Sequence, residues 1–260
     1  MIEQKKTTSS NFDFWSKSWP VDDKPLSINI GDLSLTISRS DYEWKLNYRW
    51  QKLGNEGAFN CDFLAKKPEE YTNTDRVAME SMSQSLTISP KLADRPVVTR
   101  PYSPLIIPGK NRIVLRVSTP LWISVNFSGD VSREFPVIKL SDTWMGQPSG
   151  AGELCYGAFT HAQLDEKLLL KLPYRALTPV TLHNTGDKML TLERLSIPAP
   201  YLTLYEGATQ LVTEPITIEV DPINLTSNAH IGKLTGNAQV AAPRLKSDGV
   251  LANTFQNLFA

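Results

Sequence analysis

Two cysteines in 260 residues, Cys61 and Cys155, are too few for a disulfide framework, so an ordinary hydrophobic core must hold the chain together. Histidine is as sparse. His161, His183 and His230 stand apart, with no H-x-H, HExxH or C-x-x-C spacing and no cluster of the cupin kind, so no metal is expected. An excess of one charge is missing too: Lys plus Arg equals Asp plus Glu at 27 each. The short basic pairs Lys5–Lys6 and Lys66–Lys67 read as solvated surface, and a nucleic-acid partner, which needs a basic excess or stripe, is not expected. No run approaches the ~20 apolar residues that cross a bilayer, and the polar opening MIEQKKTTSSNFDFW has no apolar signal-peptide core. The expectation is a soluble protein without membrane insertion, cytoplasmic, with both thiols free. The G-x-S-x-G elbow, the P-loop and the G-x-G-x-x-G fingerprint are absent, and GQPSGAG from Gly146 lacks the Lys-Ser/Thr that grips phosphate. No cofactor is expected.

What the chain does have is alternation. In DYEWKLNYRWQ the residues Tyr42, Trp44, Leu46, Tyr48 and Trp50 fall on one face and charged or polar residues on the other, the period of a half-buried strand. Similar runs begin at Leu26, Leu33, Ser85, Ile113, Leu121, Pro136, Thr178, Met189, Tyr201 and Ile216, punctuated by Gly, Pro, Asn and Asp. Many short strands without long helical patterns predict a mainly β protein, a β-sandwich built from two packed immunoglobulin-like or sandwich domains. The expected organisation is a flexible N-terminus at 1–20, a β-sandwich domain at 21–150, an immunoglobulin-like domain at 151–240 and a helical segment at 241–260. In that last segment Asp248 suits an N-cap, and Val250, Leu251, Phe255, Leu258 and Phe259 fit one face of a short amphipathic helix. Residues 161–173 fit helix and strand equally well, and 224–245 reads as loop.

Local turn chemistry gives sharper expectations. Pro108-Gly109 suits the middle of a type II turn with positive φ at the glycine, and Asn184 and Gly186 suit the positive φ of a tight hairpin. Pro101 and Pro104 place RPYSP at an edge or connection. Leu121, Ile123, Val125 and Phe127 share a buried face, which leaves Trp122 on the other face with Ser124 and Asn126, either under a second layer or open to a partner.

The densest group of chemically capable residues is SDTWMGQPSGAGELCYGAFTHA. Trp144, Glu153, Cys155 and Tyr156 are candidates to line a ligand pocket. The structural alternative has Trp144 plugging the core and Glu153 accepting from loop amides. Cys155 and His161 are candidates for a nucleophile–base pair only if the fold joins them.

RPYSPLIIPGK, STPLWISV, LSDTWMGQPSGAGELCYG and RALTPVTLHNTGDKMLTLERLSIPAPYLTLY together resemble an uncharacterised family, first catalogued as a domain of unknown function in archaea and also found in bacteria. The resemblance covers Asp94 to Tyr205. It implies no activity and transfers no catalytic residue. On partners it implies a membrane protein such as a small mechanosensitive channel.

The first expectation for function is a non-enzymatic interaction or accessory module that binds a protein partner or itself, through Trp122 and the apolar residues Phe255, Leu258 and Phe259. The alternative is a small-ligand or carbohydrate-binding module, suggested by six tryptophans and eight tyrosines. Last comes an enzyme using Glu153 with Cys155 or His161.

Overall fold

The computed structural model describes residues 15–22, 24–51, 59–63, 72–146, 152–169, 171–222, 226–246 and 250–251. Within these the chain is nearly all strand. The first part holds β1 (Ser18–Pro20), β2 (Leu26–Ile30), β3 (Leu33–Arg39), β4 (Glu43–Trp50), β5 (Phe59–Phe63), β6 (Asn73–Ala78) and β7 (Ser85–Lys91). Then come β8 (Val97–Pro101), β9 (Leu105–Ile107), β10 (Arg112–Pro120), β11 (Trp122–Ser128), β12 (Val131–Pro136), β13 (Ser141–Met145) and β14 (Glu153–Gln163). The last part holds β15 (Arg175–Asn184), β16 (Leu190–Leu192), β17 (Leu195–Ile197), β18 (Leu204–Glu206), β19 (Leu211–Thr213), β20 (Ile216–Asp221), β21 (Thr226–Ile231), β22 (Gln239–Ala241) and β23 (Val250–Leu251). The expectation of a mainly β architecture of packed sheets is met.

Each sheet follows from the alternation of its strands. The antiparallel sheet β5-β2-β3-β4-β6 turns Leu26, Ile28, Ile30, Leu35, Ile37, Trp44 and Leu46 inward. The antiparallel sheet β1-β7-β11-β12 supplies Leu86, Ile88, Ile123, Val125 and Phe127. The two meet through aromatic rings: Trp44 lies 5.3 Å from Phe127 and Tyr48 lies 4.8 Å from Phe135, centroid to centroid. Trp50 Nε1 donates to the Pro136 carbonyl at 2.8 Å. At the β2–β3 turn Gly31 adopts φ +58° and packs so closely that a Cβ would lie 2.6 Å from the Val137 carbonyl oxygen, so the hairpin tip needs glycine on both counts.

The third sheet has 12 strands, with β17-β8-β14-β10-β15-β19-β18-β22 as its path and β13, β20, β21 and β23 as side branches. β9 and β16 form a separate two-stranded ribbon. Strands from before and after position 150 alternate in the large sheet, since β8 and β10 flank β14 and β10 also pairs with β15 along nine positions. One buried apolar cluster runs from Trp15 to Ala229.

Several local expectations need correction. Pro108-Gly109 is not a type II turn with positive φ at glycine; the positive φ falls on Lys110, at 56°. Gly109 is needed for a different reason, because a Cβ there would sit 2.3 Å from the Asp187 carbonyl oxygen. Asn184 and Gly186 are not among the positive-φ residues either. Asn184 ends β15 fully buried, and its side-chain amide donates to the carbonyls of Ile107, Pro108 and Lys188 while its oxygen accepts from Gly186 N–H. RPYSP, by contrast, sits as expected: β17 pairs β8 only at Val97–Thr99, so among the described residues Arg100 and Pro101 have β14 on one side alone, and the strand ends at Pro101. Residues 161–173 are neither one helix nor one strand, because β14 runs to Gln163 and a 3-10 turn follows at Glu166–Leu168. The 224–245 stretch, expected as loop, carries β21 and β22.

The amphipathic helix near the C-terminus fails at its start. Val250 and Leu251 form β23, which pairs antiparallel with β21 at Ala229 and His230. Asp248, Phe255, Leu258 and Phe259 lie outside the described residues.

Candidate functional site

Strand periodicity decides what the cluster around Trp144 and Cys155 can do. β13 and β14 are antiparallel partners, with Asp142 opposite Tyr156, Thr143 opposite Cys155, Trp144 opposite Leu154 and Met145 opposite Glu153. Residues directly opposite share a face, and neighbours along a strand alternate. Trp144, Leu154, Tyr156 and Asp142 therefore lie on one face, and Glu153, Cys155, Met145 and Thr143 on the other. The four residues expected to line one ligand pocket are split by the sheet into two pairs, Trp144 with Tyr156 and Glu153 with Cys155.

The Glu153 face is closed. Cys155 is fully buried in a small satellite cluster with Val98 and Met145. Its thiol lies 3.7 Å from the Glu153 carbonyl, and burial, reinforced by the Glu153 carboxylate, pushes it up to about 11 against the opposing pull of Ser196 and Arg194. At neutral pH it stays a protonated thiol, a poor nucleophile. Glu153 Oε1 is buried and accepts no hydrogen bond, and desolvation pushes its carboxyl up to about 7. The expected acceptance from loop amides is not what this oxygen does. His161 lies on β14 six positions beyond Cys155, and its side chain lies outside the description.

The Trp144 face is open at one end and closed at the other. Trp122, the residue that escaped a sequence account, is 5% exposed and covered by the Tyr156 ring at 5.4 Å. What sits over it is β14, and it offers no surface for docking. Tyr156 in turn carries the Arg95 guanidinium 5.2 Å above its ring and donates its hydroxyl to Asp94 at 3.0 Å. Burial and the nearby Asp94 raise this phenol above its ordinary value. Arg95 also binds Asp142 at 3.2 Å. One rung further out Trp144 is 46% exposed and Leu154 43%, so Trp144 does not plug the core. The indole lies over Gly152, where a Cβ would come within 2.3 Å of Nε1. The sequence pointed to Trp144 and Tyr156 but missed Asp94, Arg95 and Leu154. Pairing of β13 with β14 was the signal that would have joined Leu154 to Trp144.

Elsewhere, a cleft of about 270 Å³ lies between Ser89–Lys91 and Val240–Arg244. That is below the ~300–1,000 Å³ of common ligand pockets. Its cations are engaged: Lys91 and Arg244 both bind Glu134, at 2.8 and 2.5 Å. Desolvation alone would raise the Glu134 carboxyl, but hydrogen bonds from Arg244 and Lys91 prevail and lower it. On the outer face of the large sheet His183 Nδ1 stands 3.6 Å from Glu219 Oε1, and His230 is exposed two rungs away. Among the described residues no helix is long and apolar enough to cross a membrane, which says nothing of strands.

Fold and site together define an all-β protein of packed sheets with a half-exposed tryptophan and leucine paired on the β13–β14 rim. The chain belongs to the family described as "Protein of unknown function (DUF432)", which matches residues 15–259. The match extends well beyond the 94–205 stretch that carried the resemblance, to both sides. No curated protein and no solved structure matches.

Proposed function

We propose that this chain is a non-enzymatic interaction module that docks a protein partner on the β13–β14 rim. One observation carries the reading: the register of β13 with β14 sets a half-exposed tryptophan, Trp144, directly opposite a half-exposed leucine, Leu154. Tryptophan is among the residues most enriched in binding hot spots, and here its ring lies against Gly152 at the open end of the face. The enzymatic alternative is weakened by a Cys155 thiol that stays protonated and sealed. The small-ligand alternative is weakened by the separation of Trp144 and Tyr156 from Glu153 and Cys155, and by a cleft whose cations are already bound to Glu134.

The test is positional. A photoreactive benzoylphenylalanine replaces Trp144 in one variant and the 79%-exposed Tyr42 in another, in cells that naturally make the protein. The expected outcome is a discrete adduct from position 144 and none from 42. Equal, diffuse labelling at both positions, or none at 144, removes this reading.

A further inference from the structure

Resting on the reading of the β13–β14 rim as a docking surface, we infer that the partner enters as an extended chain that adds a strand to β13, with a basic residue beside Asp142 and an apolar residue beside Trp144. Among the described residues β13 pairs only with β14, and Ser141, Asp142 and Trp144 are exposed. The outer side of an unpaired strand presents backbone donors and acceptors at the spacing an incoming strand requires.

Other edges with described side chains are guarded. β1 ends in Pro20, β12 carries Arg133 and Glu134 and ends in Pro136, β6 carries Asp75 and Arg76, and β9, β16, β17 and β22 are three residues long. β13 has five residues, no proline, no lysine and no arginine. Sheet proteins discourage edge pairing with such prolines, charges and short strands, and β13 lacks all but one acid. Its single charge, Asp142, is partly neutralised by Arg95 at 3.2 Å.

Side chains on the open face define the partner's chemistry. Asp94 and Asp142 flank a single cation, Arg95, which also lies over Tyr156, so the inner rung carries a surplus negative charge. The outer rung, Trp144 with Leu154, is apolar. An incoming strand places residues i and i+2 on this face, one per rung, so lysine or arginine alternating with valine, leucine or isoleucine complements it. A second copy of this chain complements it poorly. Antiparallel pairing of β13 with itself sets Asp142 against Trp144 and doubles the carboxylates on one face.

The experiment uses the full chain and a capped, fluorescein-labelled decapeptide that alternates threonine with lysine and valine. Fluorescence anisotropy should show saturable binding, weakened at least tenfold by Trp144→Ser and by N-methylation of alternate backbone amides along one peptide edge. Replacing the peptide lysines by glutamate should abolish binding to the native chain, and Asp142→Lys should restore it. No saturable binding, or binding indifferent to N-methylation, overturns strand addition. An oligomer in light scattering that Trp144→Ser dissolves identifies a second copy as the occupant and overturns the inference too. If the position-144 adduct forms while the peptide fails, docking at the rim stands and only the strand mode falls. If both fail, the reading of the rim itself falls.

Discussion

At the scale of a single residue, Glu153 holds a buried carboxyl oxygen that accepts no hydrogen bond. A carboxylate oxygen buried without a donor is costly when ionised, so the folded protein holds its proton up to about pH 7, against an ordinary value of 4.5. The sign follows from the proton count. Between these values the unfolded chain has released the proton and the native chain has kept it, so stability from this group is fully present below pH 4.5, falls as pH rises toward 7, and is flat above. Allowing for partial exposure, the fall is on the order of 1–2 kcal/mol. Glutamine keeps the shape and cannot ionise. Urea unfolding at pH 5, 6, 7 and 8 should therefore show native protein losing ground to Glu153→Gln as pH rises to 7, with parallel profiles above. Profiles parallel throughout would mean the carboxyl is solvated. Glu134, lowered by Arg244 and Lys91, contributes in the opposite direction and is common to both proteins.

At the scale of the element, the β13–β14 ribbon depends on a glycine for steric reasons. Gly152 has no unusual φ, yet an added methyl would meet the Trp144 indole at 2.3–2.7 Å. Because the ring is half exposed it can swing outward, so Gly152→Ala should cost stability by no more than about 1 kcal/mol. The ring's resting place should change all the same. With 5-fluorotryptophan incorporated, the resonance assigned by Trp144→Phe should shift and broaden in Gly152→Ala while the other resonances hold. An unmoved resonance would show that the indole does not rest there. This ribbon also marks where sequence reading stops. Alternation located β4, β10 and β11 and sorted their faces, because a period of two is a local property of each strand. It could not tell that β13 and β14 are partners, and that register is what places Trp144 beside Leu154 and turns Glu153 and Cys155 the other way. Nor could it reveal β8 and β17, distant in sequence, bringing Val98 and Ser196 to Cys155. Asn184 was misread for a related reason: asparagine suits turns, but its amide here bonds carbonyls of the distant Ile107 and Pro108.

For the whole molecule, the question is whether the chain melts as the two domains that its sequence suggested, 21–150 and 151–240, or as one unit. β14 begins just past position 150, yet it is sandwiched between β8 on one side and β13 and β10 on the other. Among the described residues β10 and β15 share the longest register, from Arg112 opposite His183 to Pro120 opposite Arg175. One hydroxyl pair crosses the same seam: buried Thr119 and Thr178 lie 2.7 Å apart. Separating residues 21–150 from the rest would strip β10 of its ladder and leave the Thr119 hydroxyl and the β10 backbone groups without these partners, each costing about 1–3 kcal/mol where water cannot reach. The apolar cluster is equally indifferent to the boundary, joining Trp44 and Ile123 to Leu182 and Ile218. Such coupling predicts a single cooperative transition, with tryptophan emission and far-ultraviolet circular dichroism giving one midpoint and calorimetric and van't Hoff enthalpies agreeing. Removing one hydroxyl of the seam, Thr178→Val, should lower that midpoint by the equivalent of about 1–3 kcal/mol without splitting the transition. Two separated transitions, or a Thr178→Val shift confined to one of them, would restore the two-domain picture and make the β10–β15 seam an interface between domains.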